Sequence, residues 1–512
     1  RQNRPCYEFV QLKRDKEMNN LNFLVDVLKE SPVFKTLEKN VKPGRTVCAS
    51  GLSTINKSNI IYALCRLKGV TAFCLASDEK EAQTLCNDLS CMGLRAYVYP
   101  VRDFNFLDFQ SRSHEYEHAR LKVLLKLINH ECDVAIACVD AAAQLTVPRN
   151  VLEQSVIEFE EGRELSLEKA TKALTLLGYE RFDAVEGSGQ FSLRGGILDF
   201  FMPDSDYPVR CEFWGDEITD LSYFDIETQR RFKKADKITL SPSTEIVIED
   251  RAALADKIEH KAKLLRSKNS AKAKEKLFSE AELIRSGAMI ANADKFINQI
   301  YDKPESLFDY LDRNTLVFAS EFTAIQERGK SMDFISNETL MQGFEDGTLC
   351  RGFDRFALTF NECTEFLQSH GTIVLENFVH GSMPIKLSEI ISFSTKQLSA
   401  WGGSYKQLKE DVDGLFTPES KGVIFAGTER AAKNLCDTFN ADGINAVYSE
   451  GADKISKGEL LVMQGALSAG FEYPSQKFFA ITYSQVSYRP EKSKKKKKKT
   501  GQEIYSLSEL AP

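Results

Sequence analysis

The sequence predicts an α/β fold: a mostly parallel sheet that carries an inserted small α+β domain and is followed by a second α/β domain. Between residues 40 and 145, short apolar β-type runs alternate with helical runs, which is the order of βαβ units. Residues 148–248 instead carry one helix and then four closely spaced β-type runs separated by turn residues. An alternating pattern returns between residues 422 and 482.

The composition is that of an ordinary folded protein with several domains. The chain has 512 residues, of which 42% are hydrophobic and 28% charged, so it is neither largely disordered nor fibrous. Its net charge is −7, from 67 basic and 74 acidic residues. Seven of the lysines form one run, Lys492 with Lys494–Lys499, and without them 60 basic residues remain, a net charge of −14. Such an acidic body argues against a broad footprint on duplex DNA.

The first α/β region has strands and helices in regular alternation. The predicted strands are Thr46–Ala49, Thr71–Ala76, Ala96–Tyr99 and Val134–Cys138, and the predicted helices between them are Lys57–Lys68 and Glu79–Met92. Thr315–Ala319 has the same strand pattern much later in the sequence. We therefore expect the chain to return to the first sheet there, after an insertion.

The insertion itself begins with a helix at Leu167–Leu177, with Ser166 as its N-cap and Gly178 just beyond its end. The strands predicted after it are Gln190–Arg194, Ile197–Met202, Val209–Trp214 and Ile218–Phe224. Residues 249–290 are helical and charged, as in solvated helices.

The predicted domains follow from these changes of pattern. They are a first module formed by residues 1–147 and 249–345, an inserted domain at 148–248, a second α/β domain of unknown role at 350–485, and a lysine-rich linker at 486–512.

A near P-loop follows the first predicted strand and opens a helix. The segment from Gly51 to Ser58 has the spacing GxxxxGK[ST], with Lys57 and Ser58 in their expected places, but Asn56 stands where the last glycine belongs. The acidic strand end that would hold a metal ion offers Glu321 and no Asp-Glu pair. We therefore expect a decayed nucleotide site without ATPase activity.

A second motif, HExxH, is formed by His114, Glu115 and His118. On a helix the two histidines would share one face, and the glutamate could activate a zinc-bound water. Against a zinc site, Glu117 places a charge between the ligands, the residues before His114 are polar, and no third ligand has a recognisable spacing. The simpler interpretation is the solvated first turn of a helix, with a zinc hydrolase as the alternative.

The period-2 alternation of Val209–Trp214 predicts a strand with two different faces. The residues expected to face the core are Val209, Cys211 and Phe213. Arg210 and Trp214 then lie on the outer face, and the alternation of the strand before them adds Ser192 and Arg194. Trp and Arg dominate binding energy at interfaces, so this face is a candidate partner surface. The alternative is a Trp214 packed under a neighbouring domain.

The 12 cysteines form no CxxC motif, so we expect small buried thiols in a reducing cytosol and neither disulfides nor a zinc site. No stretch reaches the roughly 18 apolar residues of a membrane span. The charged N-terminus lacks the apolar core of a signal peptide, so we expect a cytoplasmic location and no membrane partner.

Three segments together carry a specific resemblance: Gly189 to Phe201, Arg210 to Ile218, and Phe224 to Arg230. They are similar to the inserted domain shared by bacterial UvrB and the transcription-repair coupling factors (Mfd). The near P-loop also resembles the decayed nucleotide motif of the coupling factors, whereas UvrB has an intact P-loop. Residues 101–113 are too short for the damage-probing hairpin of UvrB, so the coupling factors are the closer match.

This resemblance implies a degenerate helicase-like module that needs no cofactor and is not itself an enzyme, although the full-length family is an ATP-dependent DNA translocase. It implies recruitment of UvrA in nucleotide excision repair, through Arg194, Arg210 and an aromatic residue at Trp214, which is more often Phe in the family. It also implies contacts with RNA polymerase and DNA through domains absent from this chain, and the lysine-rich segment resembles the approach to the polymerase-interacting domain. The alternatives are a UvrB-type ATP-dependent damage-binding subunit and, less in keeping with the sequence, the zinc hydrolase.

Overall fold

The computed structural model describes residues 21–102, 114–155, 157–266, 270–287, 293–378, 383–402 and 404–483. The predicted lysine-rich linker lies outside these ranges. The strands are β1 (Val47–Ser50), β2 (Ala72–Ala76), β3 (Ala96–Tyr99), β4 (Val134–Cys138), β5 (Ile157–Glu160), β6 (Glu180–Arg181), β7 (Gln190–Arg194), β8 (Ile197–Phe200), β9 (Val209–Trp214), β10 (Glu217–Phe224), β11 (Arg231–Lys234), β12 (Lys237–Leu240), β13 (Leu316–Ser320), β14 (Thr372–Glu376), β15 (Glu389–Ser392), β16 (Lys396–Leu398), β17 (Lys421–Phe425), β18 (Ala446–Ser449), β19 (Glu459–Met463), β20 (Gly470–Tyr473) and β21 (Phe478–Thr482). The α-helices are α1 (Asn22–Glu30), α2 (Pro32–Asn40), α3 (Thr54–Lys68), α4 (Glu79–Cys91), α5 (Glu115–Ile128), α6 (Val139–Ala143), α7 (Arg149–Gln154), α8 (Leu167–Leu176), α9 (Arg251–Leu264), α10 (Ser270–Ser286), α11 (Ile297–Ile300), α12 (Phe322–Asp346), α13 (Phe360–His370), α14 (Tyr405–Leu415) and α15 (Glu429–Ala441).

The first α/β unit is a seven-stranded sheet in the order β15-β1-β14-β13-β2-β4-β3, and every pair in it is parallel. Strands β2 and β4 are buried along their whole length, which explains why they read as unbroken apolar runs. The α/β fold class is therefore confirmed. The expected return of the chain at residues 315–319 is also confirmed, because β13 pairs with β2 in this sheet.

The sheet boundary predicted at residue 350 needs correction. Strands β14 and β15 complete the first sheet on either side of β1, so the second sheet begins at β16. Both strands are short, and their places beside β1 depend on long-range pairing that no local pattern specifies. Residues 350–395 thus contribute to the first sheet.

The inserted region contains a six-stranded sheet in the order β11-β10-β9-β8-β7-β6, in which β7 to β10 are the four predicted strands. Ser166 is the N-cap of helix α8, and its side chain accepts a hydrogen bond from the amide of Lys169. Gly178 follows the helix with φ +87°. The apolar face of α8 packs Ala170 and Leu174 onto the inner face of the sheet, together with the short antiparallel pair of β5 and β12. The opposite, outer face of the sheet is not covered by this helix.

A buried ionic network joins the inserted domain to the first module. Glu245, where the chain leaves the insertion, accepts hydrogen bonds from Arg120 Nε of α5 at 2.6 Å and from Thr146 Oγ1 at 2.6 Å. Both Arg120 and Glu245 are fully buried, and Arg120 also donates to Gln144 and lies over the ring of Tyr99. Removing one partner of such a pair would leave an uncompensated buried charge, so the joint has a strongly preferred geometry.

The second sheet has the order β16-β20-β21-β17-β19-β18 and shares a hydrophobic core with the first module. Phe23 and Leu24 of α1 lie in this core with Val423, Phe425 and Phe478 of the second sheet. The two α/β units are therefore packed as one body and not joined by a flexible linker.

The state of the cysteines and the apolarity of the helices bear on two further expectations. All cysteines in the described ranges are free thiols, and most of them are buried. Among the helices within these ranges, none combines the length and the apolarity that crossing a bilayer would require.

The shared core predicts cooperative unfolding of the two α/β units. Leu24→Ala should lower the free energy of unfolding by about 2–5 kcal/mol, because a buried leucine leaves a cavity that its neighbours cannot fully close. The measurement is urea unfolding in a Trp214→Phe background, where Trp401 fluorescence reports the second sheet and circular dichroism reports the whole chain. Both signals should shift together to lower urea.

The matched control is Leu264→Ala, an exposed leucine on α9, which should change stability by no more than about 0.5 kcal/mol. If circular dichroism shifts while the Trp401 transition stays where it is, the two units unfold independently and the shared core does not couple them.

Candidate functional site

The near P-loop is filled by the protein's own chain. Helix α3 begins at Thr54, so Asn56 is helical, and the glycine conformation is adopted by Gly51 at φ +80°. The amide of Gly51 donates to the carbonyl of Asn377, and Thr395 Oγ1 donates back to the carbonyl of Gly51 at 2.8 Å. A Cβ on Gly51 would lie 2.2 Å from the carbonyl oxygen of Phe393. The segment after β15 therefore occupies the space above the loop.

Asn56 is held in the same way. Its side-chain amide is buried and donates to Ser53 Oγ at 2.9 Å and to Thr395 Oγ1 at 3.0 Å. A phosphate cradle needs loop amides that point at the ligand. Here acceptor groups of the protein itself take the place that the oxygens of a ligand would have.

Lys57, the residue that would reach the phosphates, is buried and ion-paired. Its ammonium group donates to Glu321 Oε1 at 2.6 Å, Ser320 Oγ at 2.9 Å and Glu81 Oε1 at 3.2 Å. Burial disfavours the charged form of Glu81, but Lys57 and nearby hydrogen bonds outweigh it and hold the pKa of this carboxyl below its usual range. The positive charge of Lys57 is thus compensated by carboxylates at a position where a nucleotide would supply phosphates.

A third carboxyl, Glu376, completes this cluster at the end of β14. It is fully buried and accepts a hydrogen bond from the amide of Phe322 at 2.8 Å. Burial, and then the negative charge of Glu321, raise the pKa of Glu376. Glu321 itself lies at the end of β13 with φ +56° and accepts from the amide of Asn377. The single predicted carboxylate therefore belongs to an internal charge cluster.

Ser58, the last residue of the motif, contacts a buried carboxylate. Asp88 of α4 accepts hydrogen bonds from the amide and the hydroxyl of Ser468, each at 2.7 Å, and from Ser58 Oγ at 3.3 Å. Ser468 belongs to the second α/β unit, so this carboxylate links the two sheets. Burial raises the pKa of Asp88 to about 6.

The HExxH segment is a docking element for the inserted domain. His114 Nδ1 lies 2.9 Å from Glu117 Oε2, and the other Glu117 oxygen accepts from Thr244 Oγ1 and the amide of Glu245, both at 2.8 Å. Glu117 is buried, which corrects the expectation of a solvated first turn. His118 packs under Gly189 of the insertion, where a Cβ would lie 2.6 Å from its ring.

Within the described residues, a different group has ligand atoms close enough together to hold a metal ion. It consists of Glu79, Cys138 and Asp140. Arg328 bridges its two carboxylates, with Nε 3.0 Å from Asp140 and a second ion pair to Glu79. His114, Glu115 and His118 do not form such a group. The guanidinium group of Arg328 already compensates the negative charge of Glu79 and Asp140.

The outer face of the inserted sheet is built on one buried carboxylate, Asp199 of β8. Arg210 donates to both its oxygens, from Nε at 2.7 Å and from a terminal nitrogen at 2.8 Å, and Arg194 donates to it at 2.8 Å. Asp199 is 1% exposed, whereas the side chains of Arg210 and Arg194 are 13% and 51% exposed. Bidentate charge-assisted bonds of this kind fix the orientation of the arginine.

Arg210 is further confined by aromatic and amide neighbours. Its guanidinium carbon lies 4.5 Å from the ring centre of Phe224, and it donates to the backbone and side-chain oxygens of Gln229, each at 3.2 Å. Hydrogen bonding to Asp199 raises the pKa of Arg210, so it stays charged. Arg210 is thus a rigid part of the face, whereas Arg194 reaches further into solvent.

Trp214 lies at the end of β9, next to the turn at Gly215, and is 81% exposed. The alternative in which it packs under a neighbouring domain is therefore wrong for the described residues. The inner face of β9 is buried as predicted, through Val209, Cys211 and Phe213. Ser192 departs from the expected pattern, because it is buried and donates to the carbonyl of Asp183.

Sequence reasoning missed Asp199, Phe224 and Gln229, the three residues that position Arg210. Asp199 had a usable signal, since an acidic residue inside the apolar strand Ile197–Phe200 needs a charged partner when buried. Its pairing opposite Arg210 is a matter of strand register, which depends on the hairpin between them.

The region of this face matches a known family. Residues 157–246 match the family model of the UvrB interaction domain. The chain resembles the N-terminal, UvrB-like region of bacterial transcription-repair coupling factors. It is 26% identical to the transcription-repair-coupling factor of Bacillus subtilis strain 168 over 499 residues, which cover 94% of this chain and 42% of that protein. The chain thus spans less than half the length of the curated relatives it matches.

Other relatives carry the same name. The transcription-repair-coupling factor of Staphylococcus epidermidis strain RP62A is 25% identical over 79% of this chain and 35% of its own length. That of Staphylococcus aureus strain MRSA252 is 22% identical over 94% of this chain and 41% of its own length. The similarity to coupling factors therefore extends well beyond the UvrB interaction domain and includes both sheets.

Restoring the motif should not restore nucleotide binding. Asn56→Gly recreates GxxxxGKS, but Lys57 stays paired with Glu81 and Glu321, and Thr395 still covers Gly51. A titration with a fluorescent ATP analogue and magnesium should show no saturable binding at micromolar protein, for either the parent chain or the variant. Saturable binding that is competed by unlabelled ATP would contradict this prediction.

Asp88 should make stability depend on pH. Its folded-state pKa of about 6 lies above the ordinary 3.8, so its contribution is complete below about pH 4 and is lost as the pH rises through about 6. The free energy of unfolding should fall by on the order of 2–3 kcal/mol over this interval, relative to Asp88→Asn.

The measurement is urea unfolding of both proteins at several pH values between 4 and 7. Glu376 and the other titrating groups are present in both chains, so their contributions cancel in the difference. A difference that does not change with pH would show that Asp88 is ionised throughout.

Proposed function

We propose that this chain is a noncatalytic recruitment module of a transcription-repair coupling factor. It binds UvrA by presenting a UvrB-like surface, and so acts in transcription-coupled nucleotide excision repair of damaged DNA. The observation that carries the proposal is the outer face of the inserted sheet, within the matched UvrB interaction domain. There an 81% exposed Trp214 lies on the same strand as Arg210, and Asp199 binds both Arg210 and Arg194.

The face has the chemistry of a protein interface. A large exposed aromatic side chain gains apolar contact area at little cost in conformational entropy, because Trp has two rotatable side-chain bonds. Asp199 holds the two arginines in place before binding, so little ordering is needed on association. The partner surface is expected to offer an apolar pocket for Trp214 and acceptor groups for Arg194.

The charge cluster around Lys57 supports a noncatalytic role. Three carboxyls, Glu81, Glu321 and Glu376, surround or adjoin this lysine, and bringing further phosphate charge into the same buried volume would be unfavourable. We infer that the cluster has a structural role. In the full-length family, RNA polymerase and DNA are partners of other domains, and we assign neither to this face.

The two alternative functions have separate tests. A UvrB-type ATP-using subunit requires the nucleotide binding that the Asn56→Gly experiment measures. A zinc hydrolase requires about one zinc per purified chain, lost on His118→Ala. Glu117 and His118 instead contact the inserted domain, so we expect no stoichiometric zinc.

The test of recruitment is a binding titration of this chain against purified UvrA. Arg210→Ala and Trp214→Ala should each weaken binding about thirtyfold or more, since truncation of a central interface residue costs about 2 kcal/mol or more. The matched controls are Lys172→Ala and Leu176→Ala on α8, which packs on the opposite face of the sheet. Controls that weaken binding as much as the two test variants would move the interface away from the outer face.

The variant Asp199→Asn tests whether the orientation of the two arginines, and not only their presence, contributes to binding. It removes the charge that orients both arginines while leaving Trp214 and both guanidinium groups in the chain. We expect at least a tenfold loss of affinity with an unchanged circular dichroism spectrum. Unchanged affinity would mean that the arginines bind without this support.

A further inference from the structure

A basic groove runs along the amino-terminal edge of the first sheet. Because β1, β14, β13, β2, β4 and β3 are parallel, the segments that precede them meet at this edge. Two adjoining clefts of about 260 and 480 Å³ lie there and share Val70, Asn314 and Thr315 as lining residues. We call these clefts together the amino-edge groove.

Six strands spaced about 4.8 Å apart give this groove a length of about 24 Å. Measured along the axis of a DNA duplex, that length corresponds to about seven phosphates of one strand. The groove lies on the edge opposite to the near P-loop, since Gly51 follows the carboxyl end of β1. It is also separate from Trp214 and its arginines, which lie on the inserted sheet.

Lysines and arginines outnumber carboxylates six to two in the lining of the groove, although the chain as a whole is acidic. The lining lysines and arginines are Lys42, Arg45, Arg66, Lys68, Arg95 and Arg313. The lining carboxylates are Asp133 and Asp312, and Asp312 is paired with Arg149 outside the groove. The positive potential is therefore concentrated in a chain whose net charge is −7.

Several of these cations remain available for a ligand. Lys42 and Arg313 are exposed and make no ion pair with any residue that the structure describes. Arg66 is exposed and donates to the carbonyl of Gly93 at 2.7 Å. Lys68 and Arg45 are ion-paired with Glu38 and Glu389, at 3.8 and 3.4 Å. Arg95 is more fully compensated, by Asp133 at 2.6 Å.

The groove lacks the feature that a protein partner would need. Interfaces between proteins are centred on buried apolar anchors, as Trp214 would be on the outer face. In the described part of the chain, no large exposed apolar side chain lines the groove. A phosphate backbone, in contrast, is held by charge and hydrogen-bond donors alone.

We propose that the amino-edge groove binds the phosphate backbone of nucleic acid. The contact is narrow and independent of base sequence, which agrees with an acidic body that could not carry a broad footprint. It does not depend on UvrA binding, because it uses a different surface.

The test compares the parent chain with the double variant Lys42→Glu/Arg313→Glu, made in the full chain. Binding is measured by fluorescence anisotropy of a labelled DNA oligonucleotide, used both single-stranded and as a duplex. Both side chains are exposed, so the fold should be retained, which circular dichroism checks. We expect at least a tenfold loss of affinity at low salt. The slope of log affinity against log salt should become shallower by about 2, one for each lost phosphate contact.

The matched control is Lys330→Glu/Lys406→Glu, two exposed lysines that do not line the groove, with the same change of net charge. To separate the groove from the lysine run, all four proteins are also made with Lys494–Lys499 changed to Gln: the parent, the groove variant, the control and a Trp214→Ala variant. The groove variant should still bind more weakly than the control in that background.

Three results would overturn the proposal. Equal losses in the groove variant and the control would show a nonspecific charge effect. Complete loss of binding on removal of the lysine run alone would assign the affinity to that run. If a labelled polyglutamate probe loses affinity for the groove variant while DNA does not, the groove binds an acidic polypeptide.

Discussion

The ion pair between Arg120 and Glu245 is the constraint on which the arrangement of the inserted domain depends. Both side chains are completely buried, and such a pair is stable only when each charge finds its partner and its remaining hydrogen bonds. Glu117 adds bonds to the same exit segment. The insertion is therefore fixed against α5, and its outer sheet face is presented at a defined position relative to the first module.

The residues of the near P-loop are bonded within the protein itself. Lys57 and Ser58 are present and correctly spaced, yet each is bonded to carboxylates of the protein itself. Those bonds now support the fold, since Asp88 joins Ser58 to the second α/β unit through Ser468. The spacing of the motif alone does not describe this site, because the partners of Lys57 and Ser58 come from distant parts of the chain.

Two surfaces of this chain have different side-chain chemistry, and each chemistry suits a different class of partner. The outer face combines an exposed aromatic side chain with arginines that a buried carboxylate orients, which suits a protein. In the amino-edge groove, Lys42 and Arg313 make no ion pair with a described residue, and no exposed apolar anchor lies among the described lining residues, which suits a phosphate backbone. The same chain can thus present both without competition between them.

The sequence by itself determined the local features: the alternation that buries Cys211 and exposes Trp214, the cap at Ser166 and the apolar runs of the parallel strands. These depend on periods of two or 3.6 residues and on neighbouring side chains. The tertiary structure alone decided the place of β14 and β15 in the first sheet and the pairing of Asp199 with Arg210. It also decided that internal carboxylates surround Lys57. Those features join residues far apart in the chain, and burial sets the energy of each charge only once the long-range packing exists.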